Sequence, residues 1–186
     1  GRRLLGNVEV CDGRSMGMDT CLHVTNIAFG VAPFPIDQPA FIADITRGAI
    51  DNVLGGLCLA PTRSGKTYCA LQAACNLGGS TLVLVDNGVL MEQWRVAIEG
   101  KSTESPRVVD VLDNSVRCGV VREDRFDCGT DFPFVVGMVQ TLARRKLSSE
   151  FRRAFRTVIV DEAQSSPCET INAALQRVES KYVLGL

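Results

Sequence analysis

No apolar stretch in this chain is long enough to cross a bilayer, and the opening Gly1-Arg2-Arg3-Leu4-Leu5 is too short for a secretory signal. The expectation is an intracellular protein of cytoplasm or nucleus, neither secreted nor membrane-bound. A surplus of either charge is also missing. Lys and Arg total 20 against 21 Asp and Glu, a net charge of −1, which argues against a general nucleic-acid sponge. Histidine occurs once, at His23, and none of the eight cysteines forms a C-x-x-C pair, so the spacing of a zinc site is absent. Cys11, Cys21 and His23 are the nearest approach to a metal set, but His23 sits with Val24 and Ile27, where a structural role is simpler. Several cysteines fall in apolar patterns, where a reduced cysteine behaves as a small hydrophobe. Internal repeats and low-complexity segments do not occur. What remains is 46% hydrophobic and 22% charged over 186 residues, enough for one domain with a sizeable core.

Within that ordinary composition one run carries chemistry, Ala60-Pro61-Thr62-Arg63-Ser64-Gly65-Lys66-Thr67. It fits a phosphate-binding loop. Small residues near Ser64 and Gly65 let the backbone curl so that successive N–H groups face inward, and a helix starting near Lys66 adds its positive end. Lys66 is expected on the β and γ phosphates of ATP, and the Thr67 hydroxyl on Mg²⁺. The context suits the motif, because Leu57-Cys58-Leu59-Ala60 is apolar and Thr67 to Leu77 is Ala-rich without Pro or Gly.

A second run matches it. Phe155-Arg156-Thr157-Val158-Ile159-Val160 reads as a buried strand that delivers Asp161 and Glu162 to its C-terminal end. In an open parallel sheet ligands bind beyond the strand C-termini, so these carboxylates can meet the loop. Asp161 is expected to hold Mg²⁺, and Glu162 to orient and deprotonate the attacking water. Without the loop, an Asp-Glu pair at the start of a helix would read only as favourable charge on a dipole.

From residue 56 onward apolar strands alternate with helical stretches, which predicts an α/β fold of the P-loop NTPase type with a mostly parallel sheet covered on both faces. Strands are predicted at Leu57–Ala60, Thr81–Val85, Arg107–Leu112, Phe134–Val139, Thr157–Val160 and Lys181–Leu186. Helices are predicted at Gln38–Leu54, Thr67–Leu77, Val89–Glu99, Thr141–Lys146, Ser149–Phe155 and Glu169–Val178. Asn114 to Phe132 reads as a short hairpin or an irregular excursion. Residues 1–35, punctuated by Gly and Pro, read as an N-terminal extension or the end of a preceding module, and 36–186 as the main domain. Arg144, Arg145, Lys146, Arg152, Arg153 and Arg156 crowd one segment, either as phosphate contacts or as a solvated helix face.

These residues together resemble the first RecA-like domain of a superfamily 2 helicase or translocase, in the branch of XPB, UvsW and the restriction motors. Ala60–Thr67 is similar to motif I and Val160–Gln164 to motif II, here Asp-Glu-Ala-Gln where the branch usually has His last. Thr81–Val85 with Leu90-Met91-Glu92-Gln93-Trp94 resembles motif Ia and its helix, and Phe134–Val139 with Gln140-Thr141-Leu142 the motif Ib region. Tyr182–Leu186 is similar to the strand leading into motif III, so the resemblance implies a fragment that stops before it. It further implies that Gln164 links the γ-phosphate to motif III, that Gln38 reads adenine, and that Gln140, Thr141, Arg144 and Arg145 touch a nucleic-acid backbone. DNA is favoured over RNA as that partner. A second RecA-like domain would supply the arginines that stabilise the transition state.

Besides Gln164, two departures qualify the resemblance. Arg63 stands where Gly is usual in the loop. Asp86-Asn87 replaces the usual Pro-Thr or Pro-Ser after the motif Ia strand, and a carboxylate there would repel phosphate unless it faces elsewhere. Trp94 is expected to pack against the sheet rather than stack on bases. Two other classes remain open on the residues alone: another P-loop motor such as a terminase-type packaging ATPase, and a non-catalytic nucleic-acid-binding fragment.

Overall fold

The computed structural model describes residues 28–29, 37–51, 56–58, 64–100, 116–123, 125–163 and 168–186. In chain order the elements are β1 (Ala28–Phe29), α1 (Gln38–Asp51), β2 (Gly56–Cys58), α2 (Lys66–Leu77), β3 (Thr81–Val85), α3 (Gly88–Glu99), β4 (Cys118–Arg122) and β5 (Arg125–Phe126). There follow β6 (Phe134–Met138), α4 (Val139–Arg144), α5 (Ser149–Arg153), β7 (Thr157–Val160), α6 (Cys168–Leu175) and β8 (Tyr182–Gly185). The eight strands form one sheet in the order β1-β2-β8-β7-β3-β6-β4-β5, parallel throughout except for the β4–β5 pair. Ala28–Phe29, inside the stretch read as an extension, pairs parallel to β2 at the sheet edge.

Strand β3 explains the layering. All five of its residues are buried, between β7 on one side and β6 on the other. Because side chains alternate along a strand, Val83 and Val85 point to one face and Leu82 and Leu84 to the other. The first pair packs with Ile45 of α1, Leu71 of α2 and Trp94 and Ile98 of α3. The second packs with Leu142 of α4, Phe151 of α5 and Ile171 of α6. A near-continuous apolar strand therefore carries two cores, as buried parallel strands do.

Local chemistry sets the helix ends. Asn87 caps α3, its side-chain oxygen accepting from the N–H groups of Val89 and Leu90 at 3.0 Å each. Gly100 closes the same helix in the left-handed region at φ 62°, donating to Val96. Ser148 caps α5 through Phe151 N–H at 3.1 Å, with Glu150 in the first turn and Arg152 and Arg153 in the last, each favourable to the helix dipole.

Most predicted elements stand within a residue or two, and the differences have local causes. Val139 starts α4 rather than ending β6, because Val139 and Leu142, three residues apart, are the buried face of that helix. The last turn of α6 tightens, with Arg177 N–H bonded to Ala174 and Val178 N–H to Leu175, so the α-helix stops at Leu175. The segment from Asn114 to Phe132 holds the expected hairpin, and its first arm, β4, is also a full member of the parallel sheet beside β6. The strand expected at Arg107–Leu112 lies outside the described residues. Cys58, Cys69, Cys75, Cys118 and Cys128 are free thiols, and burial pushes Cys58 and Cys118 up to about 12, as expected of apolar filler.

The hairpin is clasped by Asp127. Its Oδ2 accepts from Val120 N–H at 2.9 Å and from the Arg125 guanidinium at 2.7 and 2.8 Å. Burial pushes the Asp127 carboxyl up, but the Arg125 and Val120 bonds outweigh it and leave the value below the ordinary 3.8. A carboxylate lowered in the fold contributes stability that is complete above 3.8 and drains away as the pH falls through the lower folded value. Asp127→Ala should cost about 1.5–3 kcal/mol at neutral pH, the range for a hydrogen bond to a charged group. Denaturant titrations at neutral and acid pH check this, the gap between wild type and variant closing in acid.

Candidate nucleotide site

Strand β2 ends at Cys58, and the described chain resumes at Ser64 and Gly65, which lead directly into α2. Gly65 has φ 84° and ψ 28°, left-handed backbone that a residue with a Cβ adopts only at a cost. A Cβ on Gly65 would also lie 2.5 Å from Nε2 of Gln38, whose amide donates to the Ser64 carbonyl at 3.3 Å. Gln38, at the start of α1, thus lies over the loop rather than apart from it. Among the described residues no side chain caps α2, and no acidic residue occupies its first turn, so nothing described there offsets the positive end of this 12-residue helix. Ser64 is only 7% exposed, and its Oγ has no hydrogen-bond partner among the described residues. Lys66 and Thr67, both half-buried, open the helix. Pro61, Thr62 and Arg63 lie outside the described residues.

The carboxylates stand on the neighbouring edge. Asp161 follows β7, its N–H held by the Leu84 carbonyl of β3 at 3.0 Å. Glu162 sits at φ 50°, an uncommon conformation for a residue with a Cβ, and its N–H donates to Asp161 Oδ1 at 3.1 Å. Ala163 N–H bonds the Leu186 carbonyl at 3.1 Å, tying the turn to the end of β8. Only β8 separates β2 from β7, so loop and carboxylates are two strand spacings apart, about 10 Å. That gap suits a chain of phosphates with a hydrated cation. The oxygen donors, Thr67 hydroxyl and Asp161 carboxylate, suit Mg²⁺, which keeps several waters and uses few protein ligands. Among the described residues no group of three or more His, Cys, Asp or Glu could form a protein cage for an ion. Gln164 lies outside the described residues.

Trp94 is 2% exposed and packed in the core cluster of α1–α3. Its indole Nε1–H donates to Asp161 Oδ2 at 2.7 Å. The sequence places this ring in the core but names no partner for its N–H; the signal was that a buried indole N–H needs one. Asp86 is likewise resolved: its carboxylate and carbonyl both accept from the Gln140 amide, at 2.5 and 3.0 Å. Gln140 is thereby engaged inside the protein, joining the loop after β3 to the start of α4.

The remaining basic residues divide. Arg144, Arg145 and Lys146 are exposed at the end of α4, close to half-buried Thr141, and the Arg145 carbonyl accepts from Arg177. Arg156 precedes β7 at the opposite edge and lies with Lys181 over the Tyr182 ring, 5.6 and 5.1 Å from its centroid. Arg152 pairs with Glu179 at 3.3 Å. The crowded segment is therefore not one patch.

Residues 37–186 match the family described as type III restriction enzyme, res subunit. The chain belongs to that family. As a res-type domain it is the first RecA-like domain of a superfamily 2 helicase, a helicase-family ATPase domain. It is 29% identical over 132 residues to L396 of Acanthamoeba polyphaga mimivirus, a candidate ATP-dependent RNA helicase, a match covering 71% of this chain and 23% of that protein. It is 30% identical over 121 residues to XPB-R of Trypanosoma brucei brucei (strain 927/4 GUTat10.1), a DNA repair helicase/translocase, covering 60% and 15%. The res-type chain thus spans a quarter or less of these relatives. Its fold resembles the UvsW helicase of bacteriophage T4, with TM-score 0.52 and 20% identity over 78% of this chain and 51% of that one. Among the described residues no helix is long and apolar enough to cross a membrane.

Replacing Gly65 by Ala separates the two constraints on the loop. The left-handed backbone costs about 1–2 kcal/mol whatever surrounds it, whereas Gln38, a flexible side chain, can yield. Gly65→Ala should lower stability by that amount and weaken nucleotide binding. Adding Gln38→Ala should relieve the clash but leave the backbone cost, as thermal melts and titration with a fluorescent nucleotide would read.

Proposed function

We propose that this chain is the ATP-binding and hydrolysing half of a motor that moves on nucleic acid, DNA in preference to RNA, and closes against a second RecA-like domain. The observation that carries this is the placement of the Ser64–Thr67 turn and the Asp161–Glu162 pair on one sheet edge with a single strand between them. In this reading Lys66, the loop amides and the free end of α2 bind the β and γ phosphates. Thr67 and Asp161 hold Mg²⁺, which when bound supplies positive charge against the phosphate oxygens. Glu162 takes a proton from the attacking water as its oxygen bonds to the γ-phosphorus and the bond to the ADP oxygen breaks. Glu162 sits at φ 50°, the kind of backbone cost found at working residues.

The motor half of the reading draws on the family and on the exposed Arg144, Arg145 and Lys146, which suit backbone contacts that ignore base identity. Gln140 and Thr141 are proposed as nucleic-acid contacts with Arg144 and Arg145, the Gln140 amide being held by Asp86. Gln38 and Gln164 are proposed for adenine and γ-phosphate respectively, and Pro61, Thr62 and Arg63 for the phosphate loop. XPB-R is a DNA repair helicase by name, whereas L396 is named for RNA, so the choice of DNA needs its own test.

In the intact protein Lys66→Ala and Glu162→Gln should each lower nucleic-acid-stimulated ATP turnover at least 100-fold, the scale of general acid–base and charge-stabilising groups. Glu162→Gln should still take up nucleotide, while Lys66→Ala should not. Normal turnover by either variant sinks the site assignment, and no binding of a fluorescent ATP analogue at millimolar concentration would favour a scaffold. Duplex DNA should stimulate hydrolysis more than RNA of equal length; the reverse order overturns the choice of strand.

A further inference from the structure

The hydrogen bond between Trp94 and Asp161 joins two parts of the molecule that the hydrolysis scheme leaves separate. Trp94 lies in the middle of α3, a helix that starts two residues after Asp86 and is capped by Asn87. Asp161 lies 67 residues further on, at the end of β7. The indole reaches across the core face of the sheet and meets the carboxylate at 2.7 Å, short enough for a charge-assisted bond.

Both oxygens of that carboxylate are engaged, Oδ2 by the indole N–H and Oδ1 by the Glu162 N–H at 3.1 Å. An ionised carboxylate accepts at about four lone-pair sites, so each oxygen retains one direction for a cation or its water. The indole itself cannot swing. It is 2% exposed and wedged among buried side chains of α1, α2 and α3 and the strands beneath them. A donor fixed by packing fixes the plane of the carboxylate that accepts from it.

We propose that Trp94 is a positioning residue for cation binding, its N–H setting the orientation in which Asp161 meets Mg²⁺. This rests on the reading of Asp161 as the Mg²⁺ ligand. Partners that orient a metal ligand without touching the metal are commonly worth about 10–100-fold in metal affinity. Phenylalanine would fill most of the same space and lose only the donor, so packing and positioning can be told apart.

The test uses the intact protein and Mg²⁺ with ADP as the probe. Trp94→Phe should raise the Mg²⁺ concentration needed for half-maximal uptake of a fluorescent ADP about 10–100-fold, with a smaller change in the ADP dependence at saturating Mg²⁺. In ¹⁵N spectra the Trp94 indole N–H peak, identified by its loss in Trp94→Phe, should move when Mg²⁺ and ADP are added together, and should be displaced in Asp161→Asn without them. A Trp94→Phe protein with wild-type Mg²⁺ dependence overturns the proposal. So does an intact-protein spectrum in which no indole peak responds to Mg²⁺·ADP or to Asp161→Asn, a reading that needs no Trp94→Phe protein. If wild type takes up no nucleotide at all, the nucleotide site falls and this inference with it; uptake by wild type with an unaffected Trp94→Phe removes the inference alone.

Discussion

Strand β8 is bonded to β2 on one side and to β7 on the other, both in parallel register. Everything at the site depends on that pairing. Parallel strands end at one edge, so β2 releases its loop and β7 its carboxylates into the same crevice, at a separation fixed by one intervening backbone. The register is itself protected, because sliding a strand by one residue would turn its buried face outward. Thr157 of β7 faces Tyr182 of β8, and Val160 faces Gly185, a match maintained over four residues. The two cores above and below the sheet then hold the geometry with no further device at the site.

Electrostatics follow the same edge. The start of α2 and Lys66 are positive features on it, beside the carboxylates of Asp161 and Glu162, while the exposed Arg144–Lys146 segment stands at the far end of α4, where the Arg145 carbonyl accepts from Arg177 beyond α6. Asp86, which would have set a negative charge against a passing phosphate, is bonded to Gln140 instead. Arg156 and Lys181 sit at the far edge with Tyr182, where stacking on the ring accounts for their position. A net charge near zero is therefore compatible with a surface that is locally polarised.

The fold was legible where one physical rule dominated. Thr81–Val85 and Thr157–Val160 are unbroken apolar runs buried on both faces, and the structure has both within the expected bounds. The helix expected at Val89–Glu99 stands as α3, and the structure adds its caps, Asn87 and Gly100. Legibility failed where long-range pairing decided: Cys118–Arg122 mixes Gly, Cys and Arg, and only its place beside β6 makes it a sheet strand. The site divides the same way. Lys66, Thr67, Asp161 and Glu162 follow from spacing, since loop and strand each carry their own residues to the edge. The Trp94 and Gln140 bonds join residues 67 and 54 positions apart, and no local pattern encodes such a meeting.

Gly185 closes the account of that crevice. A methyl group there would come within 2.8 Å of Leu57 Cδ1 and 3.4 Å of Ala163 Cβ, one beside the strand that feeds the loop and the other beside the carboxylate turn. Leu57 Cδ1 is the tip of a flexible side chain and can yield, while Ala163 Cβ stands at ordinary contact distance. The bare backbone at Gly185 therefore lets the Leu57 side chain of β2 and the Ala163 turn after β7 meet over β8, so that the two flanks of the edge touch through packing as well as through the sheet.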